Sequence, residues 1–190
     1  MKTILRPALV LFAALTLICC VLYPYAVTGI GQVAFAHEAQ GSLVSRDGQS
    51  VGSMLIGQAF SSPKYFWGRP SATSPMPNNA TASSGSNQGP TNPALIDAVK
   101  GRVDALKAAD PGNTMPIPVD LVTASASGLD PDISVAAAYY QAPRIARERK
   151  LTAEAVRSMI DEHKQSRYFG FFGEPRVSVL ALNLTLDQRR

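Results

Sequence analysis

The stretch Ala8-Leu-Val-Leu-Phe-Ala-Ala-Leu-Thr-Leu-Ile-Cys-Cys-Val-Leu-Tyr23 carries no charge, and its apolar character continues through Ile30. A helix rises ~1.5 Å per residue, so about 20 apolar residues cross the ~30 Å hydrocarbon core of a bilayer. Residues 8–30 are therefore read as a transmembrane helix. Lys2 and Arg6 precede it, whereas Glu38 and the mixed pair Arg46-Asp47 follow it. The positive-inside rule then makes residues 1–7 a short cytoplasmic N-terminus and residues 31–190 an extracytoplasmic domain. Tyr23 and Tyr25 fall where amphipathic rings prefer the interface, and Pro24 predicts a bend or an end to the helix. A cleaved signal peptide is the rival reading, because Ala34-Phe35-Ala36 has the small-x-small pattern of a cleavage site. The apolar run exceeds the ~7–15 residues of a signal core, which favours the anchor. Both readings place the domain outside the cytoplasm.

A chain of 190 residues has room for one anchor and one modest domain. Its net charge is +4, but the basic residues form no stripe. The densest run, Arg144, Arg147, Arg149 and Lys150, is interrupted by Glu148 and reads as a solvated helix face, so nucleic acid is not expected as a partner. Cys19 and Cys20 are adjacent within the apolar run, a poor geometry for a disulfide. The domain has no other cysteine, hence neither a disulfide framework nor a cysteine zinc site. It must fold by burial alone.

Beyond the anchor, Asp47-Gly48 separates two short apolar runs and predicts a hairpin. Residues 71–91 are rich in Ser, Pro, Asn, Ala and Gly and read as a long irregular loop. Asn92-Pro93 opens a helix that bears Leu95, Val99, Val103 and Leu106 at helical spacing and ends near Asp110-Pro-Gly. Pro118 to Thr123 reads as a strand and residues 125–132 as a turn region. Ser134 caps a helix through Tyr140, with Pro143 breaking or restarting it. Thr152 caps the next, with Leu151 and Val156 placed for a hydrophobic staple and Val156, Met159 and Ile160 on its apolar face. Arg176 to Leu184 is β-branched at first and reads as a strand. The expected fold is thus a single N-terminal transmembrane helix followed by an α+β extracytoplasmic domain with a small sheet.

Chemistry is sparse. The two histidines, His37 and His163, have no evident triad partners. No Walker-type loop is present; Ser84-Gly-Ser-Asn-Gln-Gly89 has amides able to cradle phosphate but no closing lysine. Asp130 and Asp132 are too few for a hard-cation site, and turn roles account for them. Catalytic, cofactor-binding and metal-ligating residues are accordingly none. Tyr65, Phe66 and Trp67 form an aromatic knot beside Arg69. Core packing is one reading; a partner interface on Tyr65, Trp67 and Arg69 is the other, since such residues are favoured at binding hot spots.

Several segments together resemble the KdpC family, the small subunit of the Kdp potassium-transporting P-type ATPase. They are Arg6-Pro-Ala8, Tyr23-Pro24, Gly41-Ser-Leu-Val44, Gly52-Ser-Met-Leu-Ile-Gly-Gln-Ala-Phe60 and Tyr65-Phe-Trp-Gly-Arg-Pro-Ser-Ala-Thr73. Val119 to Ser134 is the most specific, and Gln141-Ala-Pro-Arg144 and Gly173 to Leu184 complete the series. The resemblance implies an accessory, non-catalytic subunit in the bacterial inner membrane, with the potassium-binding KdpA, the ATPase KdpB and the small KdpF as partners. It also implies a chaperone-like effect that raises the ATP affinity of KdpB. ATP enters through that description alone, and it conflicts with a domain outside the cytoplasm. The alternative is a free-standing membrane-anchored binding protein.

Overall fold

The computed structural model describes residues 2–189. It divides into a helical unit up to Leu43 and a folded unit from Val44 onward. In the first unit, α1 (Lys2–Thr16) passes into a π turn (Leu17–Leu22) and then α2 (Tyr23–Ala34), with a short α3 (Ala36–Ala39) after Phe35. Residues Thr3–Ala34 form one run long and apolar enough to cross a membrane, and none of its most apolar window is buried by the rest of the chain. Pro24 neither ends the helix nor breaks it. The Tyr23 N–H donates to the Ile18 carbonyl, five residues back. That wider turn makes room for a ring which would otherwise meet the carbonyl of Cys20.

From Leu43 onward, β1 (Leu43–Arg46) and β2 (Gln49–Ser53) form the expected hairpin. Asp47 and Gly48 both have positive φ, 52° and 76°, as a two-residue turn matched to strand twist requires. Then comes α4 (Pro93–Ala109), capped as expected by Asn92, whose side chain accepts from the Ala94 N–H. A three-stranded antiparallel sheet follows, built from β3 (Asp132–Ser134), β4 (Lys164–Gln165) and β5 (Arg176–Ser178), with β5 central. Ile133 pairs with Val177, and Lys164 pairs with Val177 on the other edge. Onto this sheet pack α5 (Val135–Arg149), α6 (Ala153–His163) and α7 (Val179–Gln188). Ser134, Thr152 and Ser178 cap them, each accepting from the N–H three residues on. The core is Phe66, Ile133, Ile145, Val156, Met159, Ile160, Val177, Leu182 and Leu186, all essentially without solvent contact.

The fold departs from the sequence expectations at three places. Pro118–Thr123 is not a strand but a turn of 3-10 helix at Val119–Leu121. Leu121 and Val122 are both buried while Val119 is 69% exposed, a pattern that strand alternation cannot supply. The Asp120 carboxylate fixes the turn by accepting from the Ser134 N–H (2.7 Å) and hydroxyl (3.1 Å). Second, α5 runs through Pro143 to Arg149. Pro143 cannot donate to the Tyr139 carbonyl, yet Arg144, Ile145 and Ala146 beyond it are all buried, and that packing holds the helix together. Third, only Arg176–Ser178 of the C-terminal segment is strand. Val179, Leu182, Asn183 and Leu186 fall at helical spacing and are all buried, which outweighs β propensity.

Candidate functional site

The aromatic segment Tyr65-Phe66-Trp67 belongs to no helix or strand; side-chain amides hold its backbone instead. Asn183 on α7 accepts from the Phe66 N–H (2.8 Å) and donates to the Phe66 carbonyl (3.0 Å). Gln141 on α5 does the same for Trp67, at 2.8 and 3.1 Å. Both amides are almost wholly buried. Arg144, one turn beyond Gln141, is 2% exposed. Its guanidinium donates to the carbonyls of Pro63 and Tyr65 and to Gln141 Oε1, and lies 4.7 Å from the centre of the Trp67 ring. Burial lowers its pKa from the usual arginine value to about 10, so it stays charged at neutral pH. The basic run read as a solvated helix face is so at Arg147, Glu148 and Lys150, which are exposed, but not at Arg144. Arg144 is buried, Arg147 bonds the buried Asp110 at 2.9 Å, and Arg149 bonds Asp187 at 2.8 Å.

Of the proposed interface residues, Tyr65 and Trp67 share Arg144. The Tyr65 hydroxyl bonds Asp187 at 3.1 Å, and the Trp67 indole N–H donates to Ser62 at 3.0 Å. Both rings are half-buried, and Phe66 between them is fully buried. Arg69 is set apart. It donates to Asp130 at 3.0 Å and stands between two clefts. The first, about 250 Å³, is lined by Phe60, Trp67, Arg102 and Leu121 among others. Burial holds the Arg102 guanidinium below its ordinary pKa, and it donates to the Val122 carbonyl at 2.8 Å.

The second cleft, about 420 Å³, holds Asp120, Asp130, Asp132 and Glu174 against Arg69 and Arg176. Asp132 bonds Arg176 at 2.8 Å, and Asp130 accepts from the Asp132 N–H. Both aspartates thus have protein partners; Asp130 bonds the backbone two residues on, whereas Asp132 opens β3 and is not in a turn as read from the sequence. Burial raises the Asp132 pKa, Arg176 opposes the shift, and neighbouring Asp130 adds to it.

The 71–91 segment is irregular but tied down. Ser71 donates to the Gly128 carbonyl (2.7 Å) and accepts from the Asn78 N–H (2.9 Å). The buried Asn79 accepts from the Thr81 N–H (3.1 Å) and donates to the Ser74 carbonyl (3.0 Å). The glycine-rich Ser84–Gly89 stretch does not fit a nucleotide. No strand leads into it, and Gly85 is called for by packing, since a Cβ there would lie 2.9 Å from the Ala126 carbonyl oxygen. His163 engages Met159 (2.9 Å) and Thr185 (3.0 Å) through its two ring nitrogens, a positioning role between α6 and α7.

Sequence reasoning passed over the loop between β4 and β5. Tyr168, Phe169, Phe171 and Phe172 are 62%, 88%, 68% and 57% exposed. A pair of backbone hydrogen bonds between Tyr168 and Phe172, 2.9 Å each, clamps the tip. The signal was available: aromatic residues on both sides of Gly170 occupy no helical or strand face.

The chain therefore defines a class, that of a small α+β module preceded in sequence by a potential membrane anchor. The model for the family described as "KdpC: K+-transporting ATPase, c chain" matches residues 5–188. A relative from Herminiimonas arsenicoxydans, named as a potassium-transporting ATPase KdpC subunit, is 77% identical over 99% of both chains. Relatives of the same name from Janthinobacterium sp. (strain Marseille) and Methylibium petroleiphilum are 72% and 65% identical over the full length of both chains. The chain belongs to the KdpC family. It is a subunit of the K+-transporting ATPase, and not the catalytic one.

Proposed function

We propose that the chain is a single-pass subunit of the bacterial inner membrane. Residues 1–7 lie in the cytoplasm, residues 8–30 span the bilayer and residues 31–190 lie outside. There it joins KdpA, KdpB and KdpF and assists assembly and ATP-coupled potassium uptake without chemistry of its own. One observation carries this reading: the family match runs unbroken from the apolar helix to the end of the domain. With the domain outside, ATP is not contacted directly. Coupling to KdpB passes instead through the conformations the assembled complex can adopt. The half-buried Tyr65, Trp67 and Arg69 supply part of the partner surface. Deleting the chain from a purified complex tests the reading: assembly or potassium-dependent ATP hydrolysis should fall. Complex that assembles and pumps normally without it would overturn the function. Protease added to intact spheroplasts tests the topology and should remove the domain while leaving the helix.

A further inference from the structure

The four rings of the Tyr168–Phe172 tip are each more than half exposed and form an apolar projection. The tip is held in one shape. Tyr168 and Phe172 are cross-bonded, the Phe171 and Phe172 rings sit 4.2 Å apart, and Arg167 and Glu174 close the base with a 2.7 Å ion pair. Phe169 has a φ of 52°, so the turn places this bulky residue in the left-handed region. A large, fixed, exposed aromatic cluster is a feature of interaction sites, where preorganised rings add contact area at little entropic cost.

The charge beside the tip indicates the kind of partner. Arg176 stacks over Tyr168 at 5.6 Å and pairs with Asp132 at 2.8 Å, so the aromatic surface continues into the second cleft. That cleft carries four carboxylates, Asp120, Asp130, Asp132 and Glu174, against the guanidinium groups of Arg69 and Arg176. Counting Arg167 at its edge leaves acid in excess, although the whole chain is basic at +4. An anionic lipid surface would repel this cleft, and the flanking arginines are already paired. A protein with an apolar recess bordered by lysine or arginine complements both halves.

We propose that the Tyr168–Phe172 tip and the adjoining acidic cleft are a docking surface for another protein subunit of the transport complex, one that offers an apolar recess with a basic rim. The proposal rests on the subunit reading above and assigns a surface to it. The experiment places a photoreactive phenylalanine analogue at position 169 of the full-length chain, in membranes containing the whole complex. Phe169→Ser and Glu174→Lys variants of the tagged chain are compared in parallel for recovery of the other subunits. The expected result is a covalent adduct with one of those subunits, together with a fall in recovery of at least about tenfold for each variant. Circular dichroism should be unchanged, because the substituted side chains are exposed. Adducts to lipid alone, or undiminished recovery by both variants, would overturn the docking surface while leaving the subunit reading intact. If the unsubstituted chain recovers no other subunit, the subunit reading and the docking surface fall together.

Discussion

Replacing Asn183 with leucine removes the amide clamp on the aromatic segment. Leucine keeps the branching of asparagine but is larger by about two methylene groups, and Asn183 is only 2% exposed, so crowding adds to the loss of the hydrogen bonds. Phe66 has no solvent contact, and its N–H and C=O are both held by Asn183. Asn183→Leu leaves both groups buried without partners, at about 1–3 kcal/mol each. Added apolar burial returns about 1 kcal/mol. The net loss is about 3 kcal/mol, a large part of the ~5–15 kcal/mol that holds a domain folded. The sole tryptophan, Trp67, lies in the clamped segment, so its fluorescence reports release directly. In a urea titration of the full-length chain in detergent, with a slope of ~2 kcal/mol/M, the midpoint should fall by about 1.5 M. A shift under about 0.3 M at unchanged slope would refute the idea that side-chain amides hold this segment.

Arg144→Met should cost about 2–5 kcal/mol and shift Trp67 emission to the red, because the carbonyls of Pro63 and Tyr65 lose their shared donor and the ring loses its cation. Gly128→Ala should cost at least about 2 kcal/mol by thermal unfolding; its φ is +69° and a Cβ would lie 2.5 Å from Thr73 and 2.8 Å from the Ser84 carbonyl oxygen. Asp132 has a folded pKa raised above its ordinary 3.8, so the folded state takes up its proton first as pH falls. Its contribution therefore favours folding on acidification through the window between the raised value and 3.8, and is absent above that window. Relative to Asp132→Asn, the parent chain should gain stability between pH 7 and pH 4.5 in paired urea titrations; a relative loss would show the sign to be wrong.

Local signals were legible wherever one residue dictates one geometry. Asp47-Gly48 could only turn in the way that it does, and Asn92, Ser134 and Thr152 each cap the helix that they were read to cap. The α+β class followed from the mixture of strand-like and helix-like runs, and the apolar helix from an uncharged run long enough to span. What failed was the choice between strand and helix in short apolar runs. Val177 to Leu186 alternates no better than it spirals until Ser178 bonds the Ala181 N–H and commits the chain to a helix. Pro143 and Pro24 were read as breakers because local rules treat proline by itself. In the fold, buried residues beyond Pro143 and a π turn before Pro24 absorb the missing donors.

The site was less legible than the fold, for a physical reason. Arg144, Arg147 and Arg149 look alike in sequence, yet their roles are set by residues 37 to 81 positions away in the chain. No local pattern distinguishes a guanidinium that fills the core from one that faces water. The same distance hid the function of Gln141 and Asn183, which act on backbone groups 74 and 117 residues earlier. These long-range polar links join the Tyr65–Trp67 segment to α5 and α7 at once. A partner bound at Tyr65 or Trp67 would thus meet a segment already braced by buried hydrogen bonds to two helices.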